Sequence, residues 1–155
     1  MGRDPQAVEM YRSAVALRPR YALPYFILAT VLSRMRLQEE AREAYRAVLH
    51  LDSEFAMAHV GLGLLSAQSG RPREAADEFL RARKLNPEIP QASFNLGVLH
   101  ARAGRWAQAA QEFRRALAKE PGQPDAALRL AEAYRRMGRL EPAKRWEMRA
   151  KRLAG

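Results

Sequence analysis

Apolar positions along this chain recur with a helical period rather than the two-residue alternation of a strand. Tyr25, Leu28, Ala29 and Leu32 stand at i, i+3, i+4 and i+7, which puts them on one stripe of an amphipathic helix. Similar spacing returns at Ala41, Tyr45 and Val48, at Ala75, Phe79 and Ala82, and at Ala109, Phe113 and Ala116. Prolines at 87 and 121 close the later stretches, so the chain reads as a succession of helices of about 14 residues each.

The stripes repeat at a fixed distance. Gly70-Arg71, Gly104-Arg105 and Gly138-Arg139 stand 34 residues apart, and four units start near Ala22, Ala56, Pro90 and Pro124. One column holds Leu28, Leu62, Leu96 and Leu130, and the next holds Ala29, Gly63, Gly97 and Ala131. Others hold Ala41, Ala75, Ala109 and Ala143; Val48, Ala82, Ala116 and Ala150; and Tyr45, Phe79, Phe113 and then Glu147. The two small columns predict that the paired helix backbones approach closely, Gly63 beside Ala75 and Gly97 beside Ala109, with the aromatic column wedged between successive units. Gly70, Gly104 and Gly138 suit the left-handed residue that ends a helix, and Arg36 in the same column should cost about 1 kcal/mol there.

Residues 1–155 therefore read as a single array of nine helices. Segment 4–19 is an orphan second helix, because Ala7, Tyr11, Ala14 and Pro19 sit 34 positions before Ala41, Tyr45, Val48 and Ser53. Four helix pairs follow at 22–53, 56–87, 90–121 and 124–155. The orphan should leave apolar surface for preceding residues of a longer protein, or a second copy, to cover. The last helix, with Lys144, Glu147, Lys151 and Arg152, reads as a polar cap, and Trp146 as cover for that end.

These columns resemble the tetratricopeptide-repeat family: the 34-residue period, Leu followed by a small residue, the Gly turn, the central Ala, the aromatic and the closing Pro. The resemblance covers nearly the whole chain. It departs where the family's usual Trp is replaced by Tyr25, His59, Ser93 and Ala127, and its next aromatic by Leu32, Ser66, His100 and Tyr134. It implies an all-α, right-handed α-solenoid of antiparallel helix pairs, whose first helices line a concave groove for an extended peptide or a partner helix.

Residues one step on from the packing stripe lie about 100° around the helix, and by resemblance they face the groove. They are Phe26, Thr30 and Arg34; Val60, Leu64 and Gln68; Phe94, Val98 and Arg102; and Leu128, Glu132 and Arg136. The apolar strip Phe26, Val60, Leu64, Phe94 and Val98, flanked by Arg34, Arg102 and Arg136, suits an amphipathic guest with acidic residues. The competing reading is that Phe26, Val60 and Phe94 pack neighbouring first helices. Some family members grip the C-terminal carboxylate of heat-shock chaperones with a Lys and Asn, then an Asn, then a Lys and Arg. The matching positions here are Val60 and Leu64, Asn95, then Asp125 and Arg129, so only Asn95 and Arg129 conform. An acidic residue where a cation should meet a carboxylate repels that guest, and chaperone-tail binding is not expected.

Composition narrows the classes further. With 48% apolar and 28% charged residues the chain is not expected to be disordered, and the absence of cysteine excludes disulfides, thiolate metal sites and a cysteine nucleophile. No apolar run reaches the roughly 18 residues of a membrane span, and the start Met1-Gly2-Arg3-Asp4-Pro5-Gln6 lacks a signal core or a myristoylation serine, so an unanchored, cytoplasmic protein is expected. Net charge is +10, half of it in residues 124–155, where nine basic side chains stand against four acidic ones. Such an end favours acidic polypeptides, nucleic acid or anionic lipid, or is simply a solvated face.

Catalytic chemistry is not indicated. His50, His59 and His100 have no metal-ligand spacing, and His59 and His100 fall in packing columns, where partly buried, hydrogen-bonded rings are expected. Glu39-Glu40 and Asp77-Glu78 read as solvated carboxylates near helix starts. The expectation is a protein-binding scaffold with no enzymatic site, cofactor or metal. Its alternatives are electrostatic binding of nucleic acid or anionic membrane through the last repeat, and self-association through uncovered ends.

Overall fold

The computed structural model describes residues 4–155, and the start Met1-Gly2-Arg3 lies outside them. Among the described residues there are nine α-helices and no strand: α1 (Asp4–Leu17), α2 (Ala22–Arg34), α3 (Gln38–Leu51), α4 (Ala56–Gln68), α5 (Pro72–Leu85), α6 (Pro90–Arg102), α7 (Trp106–Lys119), α8 (Pro124–Arg136) and α9 (Leu140–Ala154). The chain divides into two compact units, Met1–Leu85 and Asn86–Gly155, the first holding α1 to α5 and the second α6 to α9.

Three residues join the helices of each pair, which forces an antiparallel hairpin. The turn closes in one way each time. Gly70, Gly104 and Gly138 take φ of 72°, 71° and 73°, and Arg36 is driven to φ 65° in the same place. The following amide then reaches back five residues, Leu37 N to Leu32 O at 3.0 Å, Arg71 N to Ser66 O at 2.9 Å, Arg105 N to His100 O at 2.9 Å and Arg139 N to Tyr134 O at 2.9 Å. This satisfies carbonyls that a helix end otherwise leaves unbonded. Between hairpins the Asp52 and Asn86 side chains accept from the amides of Glu54 and Glu88, each at 3.0 Å, and set the turn into the next first helix.

The repeating columns form the cores. In the first unit Leu28, Ala29, Leu32, Ala41, Tyr45, Val48, Leu62 and Leu65 cluster with Val8 of α1; in the second Ala109, Phe113, Leu117, Ala126, Ala127, Leu130 and Ala150 do so. The role of the glycine column differs from expectation. Gly63 and Gly97 are small to admit the ring of their own hairpin: a methyl built there would stand 2.5 Å from Phe79 Cε1 and 2.7 Å from Phe113 Cε1. Tyr45 behaves as the expected wedge, its ring standing where a side chain at Gly61 of the next hairpin would be.

Three polar placements were also not foreseen. Arg42 is buried within the first unit, its Nη1 donating to Ser66 Oγ at 3.5 Å, while its Nη2 has no partner among the described residues. Glu78 is not merely solvated: its Oε2 lies 2.6 Å from Nδ1 of buried His59, and its Oε1 accepts from Arg81 at 3.2 Å. His59 thus has its expected partner. His100 does not, since its Nδ1 is buried without a hydrogen bond among the described residues.

At the ends, α1 buries Val8 and anchors Arg12 Nη2 on Glu40 Oε2 at 2.7 Å, leaving Met10 and Leu17 exposed. On α9 Glu147 pairs with Arg135, and half-buried Trp146 packs on the second core with the Arg149 guanidinium 4.8 Å over its ring.

Candidate functional site

The first-helix residues are best followed unit by unit. In the unit Met1–Leu85, Phe26 is half-buried and stacks at 5.0 Å on Phe55 and 6.0 Å on Tyr45. Thr30 is exposed, but its hydroxyl donates to Phe26 O of its own helix at 2.9 Å and lies 3.3 Å from Tyr45 Oη. Burial raises the Tyr45 pKa above the usual phenol value, and the Thr30 contact offsets part of that rise. Arg34 is exposed near the end of α2.

On α4 the two neighbours part company. Val60 is only 3% exposed and so offers no surface to a guest. Leu64, at 37%, stays open. Four positions carry the chain a little over one helical turn, about 40° past its starting direction, and at the edge of the buried stripe that rotation separates inside from outside.

In the unit Asn86–Gly155 the α6 and α8 faces are coupled by arginine–aromatic contacts. Half-buried Phe94 lies 5.7 Å from Phe113 beneath it and receives the Arg129 guanidinium 5.8 Å over its face. Seven residues along α8, the Arg136 guanidinium lies 5.4 Å over Trp106 of α7. Such stacking holds each cation on an apolar plate while leaving N–H groups free to bond. Each arginine also has a carboxylate on its own helix: Arg129 Nε is 3.3 Å from Asp125 Oδ1, and Arg136 Nε donates to Glu132 Oε1 at 2.7 Å. The hydrogen bond from Arg136 is the main reason the Glu132 carboxyl titrates below its usual value.

Asn95 and Val98 complete this face, both half-buried, with Arg102 exposed at its end. Asn95 Nδ2 donates to Gln91 O of its own helix at 2.9 Å. Sequence reasoning had marked Phe94, Arg129 and Arg136 separately and did not foresee their stacking. Trp106 was not marked at all: it starts α7 and falls outside every column. Chemically, the face combines apolar surface at Phe94 and Val98 with guanidinium groups, of which Arg129 and Arg136 already meet carboxylates of their own helix.

The family profile described as Tetratricopeptide repeat matches the sequence over residues 28–84, 62–124 and 100–153. No curated protein matches it in sequence. Among solved structures, PilF of Pseudomonas aeruginosa is 28% identical with a TM-score of 0.90, over 99% of this chain and 70% of that one. MamA is 22% identical with a TM-score of 0.83, over 99% and 90% of the two chains. PilW, described as a widely conserved type IV pilus biogenesis factor, is 23% identical with a TM-score of 0.85, over 97% and 70%. The likenesses to MamA and PilW speak to the fold alone, which is that of an α-solenoid of stacked helical hairpins.

Proposed function

We propose that this chain, which belongs to the tetratricopeptide-repeat family, is a protein-interaction scaffold whose first-helix faces hold an amphipathic, acidic segment of a partner. Within the unit Asn86–Gly155 the contacts are Phe94, Asn95, Val98, Arg102, Arg129 and Arg136; within the unit Met1–Leu85 they are Phe26, Thr30, Arg34 and Leu64. The observation that carries the reading is the Arg129 guanidinium over the Phe94 face, beside Val98. An apolar anchor and an oriented cation in one patch select a guest that is apolar on one side and anionic on the next. Among the described residues no helix is long and apolar enough to cross a membrane.

The test is affinity capture with the wild-type chain against Phe94→Ala and Val98→Asp, the bound proteins being identified by mass spectrometry. Partners captured by the wild type should be lost from both variants, and undiminished capture by Val98→Asp would remove the face from consideration.

Binding of nucleic acid or anionic lipid by the basic last repeat ranks second to this reading. Its support is the excess of nine basic over four acidic side chains, and those four, Asp125, Glu132, Glu141 and Glu147, are each paired with a neighbouring cation. A gel shift and a liposome sedimentation at about 50 mM salt check this, and no retention in either is the expected result.

A further inference from the structure

We propose a second docking point in the unit Asn86–Gly155, away from the Phe94 face: a pocket of about 280 Å³ between α7 and the α8–α9 turn that takes an acidic side chain of a partner polypeptide. Its rim carries Arg114 and Arg139, and its lining is otherwise Ala107, Ala110, Met137 and Tyr134 with one glutamine.

The charge arrangement bears on what this pocket takes. Arg115 is bound to Glu112 at 2.6 Å, Arg129 pairs with Asp125, and Arg135 and Arg136 pair with Glu132. Arg114 and Arg139 have no carboxylate partner among the described residues, and no acidic residue lines the pocket they share. Two like charges placed together repel and bring the folded chain nothing by themselves, whereas an arriving carboxylate relieves the repulsion and gains charge-assisted hydrogen bonds. Arginine rather than lysine at both places favours a planar, two-oxygen anion.

The apolar lining specifies what carries that anion. The methyls of Ala107 and Ala110 and the thioether of Met137 suit the methylene stem of a glutamate better than a bare, hydrated ion. A second depression of about 350 Å³ shares Gln111 and Arg114 and is lined further by Ala118 and by Arg115, the arginine bound to Glu112. Ala107, Gln111, Arg114 and Ala118 share one helix face over about 16 Å, room for about five residues of extended chain. Nucleic acid instead tracks a stripe of several cations along its phosphates, and here Arg114 and Arg139 are the two lining cations without a carboxylate, Arg115 being bound to Glu112.

The probe is a fluorescein-labelled peptide of alternating glutamate and leucine, followed by anisotropy at about 50 mM salt. Arg114→Gln with Arg139→Gln should weaken its binding about tenfold or more, while Arg145→Gln with Arg152→Gln, which removes the same charge from exposed positions of α9, changes it by about twofold at most, circular dichroism confirming that both variants stay folded. A glutamine-for-glutamate peptide should bind at least about tenfold more weakly than the glutamate one. The inference is overturned if the glutamine peptide binds equally, if no binding is detected up to about 1 mM, or if a labelled single-stranded oligonucleotide is held more tightly and lost in the same variant. Unchanged binding in the Arg114/Arg139 variant, or an equal loss in the Arg145/Arg152 variant, also overturns it.

Discussion

Gly63 on α4 lies under the aromatic ring of Phe79 on α5, so close that a methyl at Gly63 would stand 2.5 Å from Cε1 of that ring. The same arrangement recurs between Gly97 and Phe113. The same column holds Ala29 and Ala131 in the other two hairpins, where Tyr45 stands against Gly61 of the next hairpin and Glu147 replaces the ring.

Gly63→Ala should therefore destabilise the protein despite the better helix propensity of alanine. Overpacking costs about 1–3 kcal/mol and the propensity gain returns about 1, so a net loss of about 1 kcal/mol is expected in urea unfolding. Adding Phe79→Leu should recover most of it; a Gly63→Ala variant as stable as wild type would show that the ring moves aside freely.

Arg36 occupies a position that the other hairpins give to glycine, with φ 65°. Left-handed geometry costs a residue bearing Cβ about 1–2 kcal/mol, offset in part by the greater freedom that glycine has in the unfolded chain. Arg36→Gly should raise stability by about 0.5–1 kcal/mol, and the reverse change, Gly104→Arg, should lower it by a similar amount, both read from denaturation midpoints.

The 2.6 Å contact between His59 Nδ1 and Glu78 Oε2 links α4 to α5 where both side chains are largely buried. Glu78→Ala leaves the imidazole without its partner and should cost about 1–3 kcal/mol. A double-mutant cycle with His59→Ala checks it: if the two losses simply add, the pair contributes no coupling.

His100 supplies a pH dependence. Burial is the main cause that lowers its pKa below the ordinary 6.5, with Arg105 adding to the effect and Glu112 opposing it. Below 6.5 the unfolded chain therefore binds more protons at this residue than the folded one does, so stability falls as pH drops from 6.5 toward the lower folded value. His100→Leu, which copies Leu32 of the first hairpin, should flatten the difference profile in that window. Parallel profiles for wild type and variant would mean that His100 titrates normally.

Sequence alone determined the hairpins, their ends and the residues that close each core. Those features depend on neighbours three, four and seven positions away and on one left-handed turn residue, and the pattern is written four times, so Leu28, Leu62, Leu96 and Leu130 announce one another. Tertiary structure alone decided which polar and aromatic groups meet. His59 with Glu78, Arg42 with Ser66 and Arg129 over Phe94 join helices 19, 24 and 35 residues apart in pairings that no column repeats. A backbone repeat can impose burial at every copy, but it leaves each side chain's rotamer and partner to the neighbours actually present, and the candidate binding faces are made of those choices.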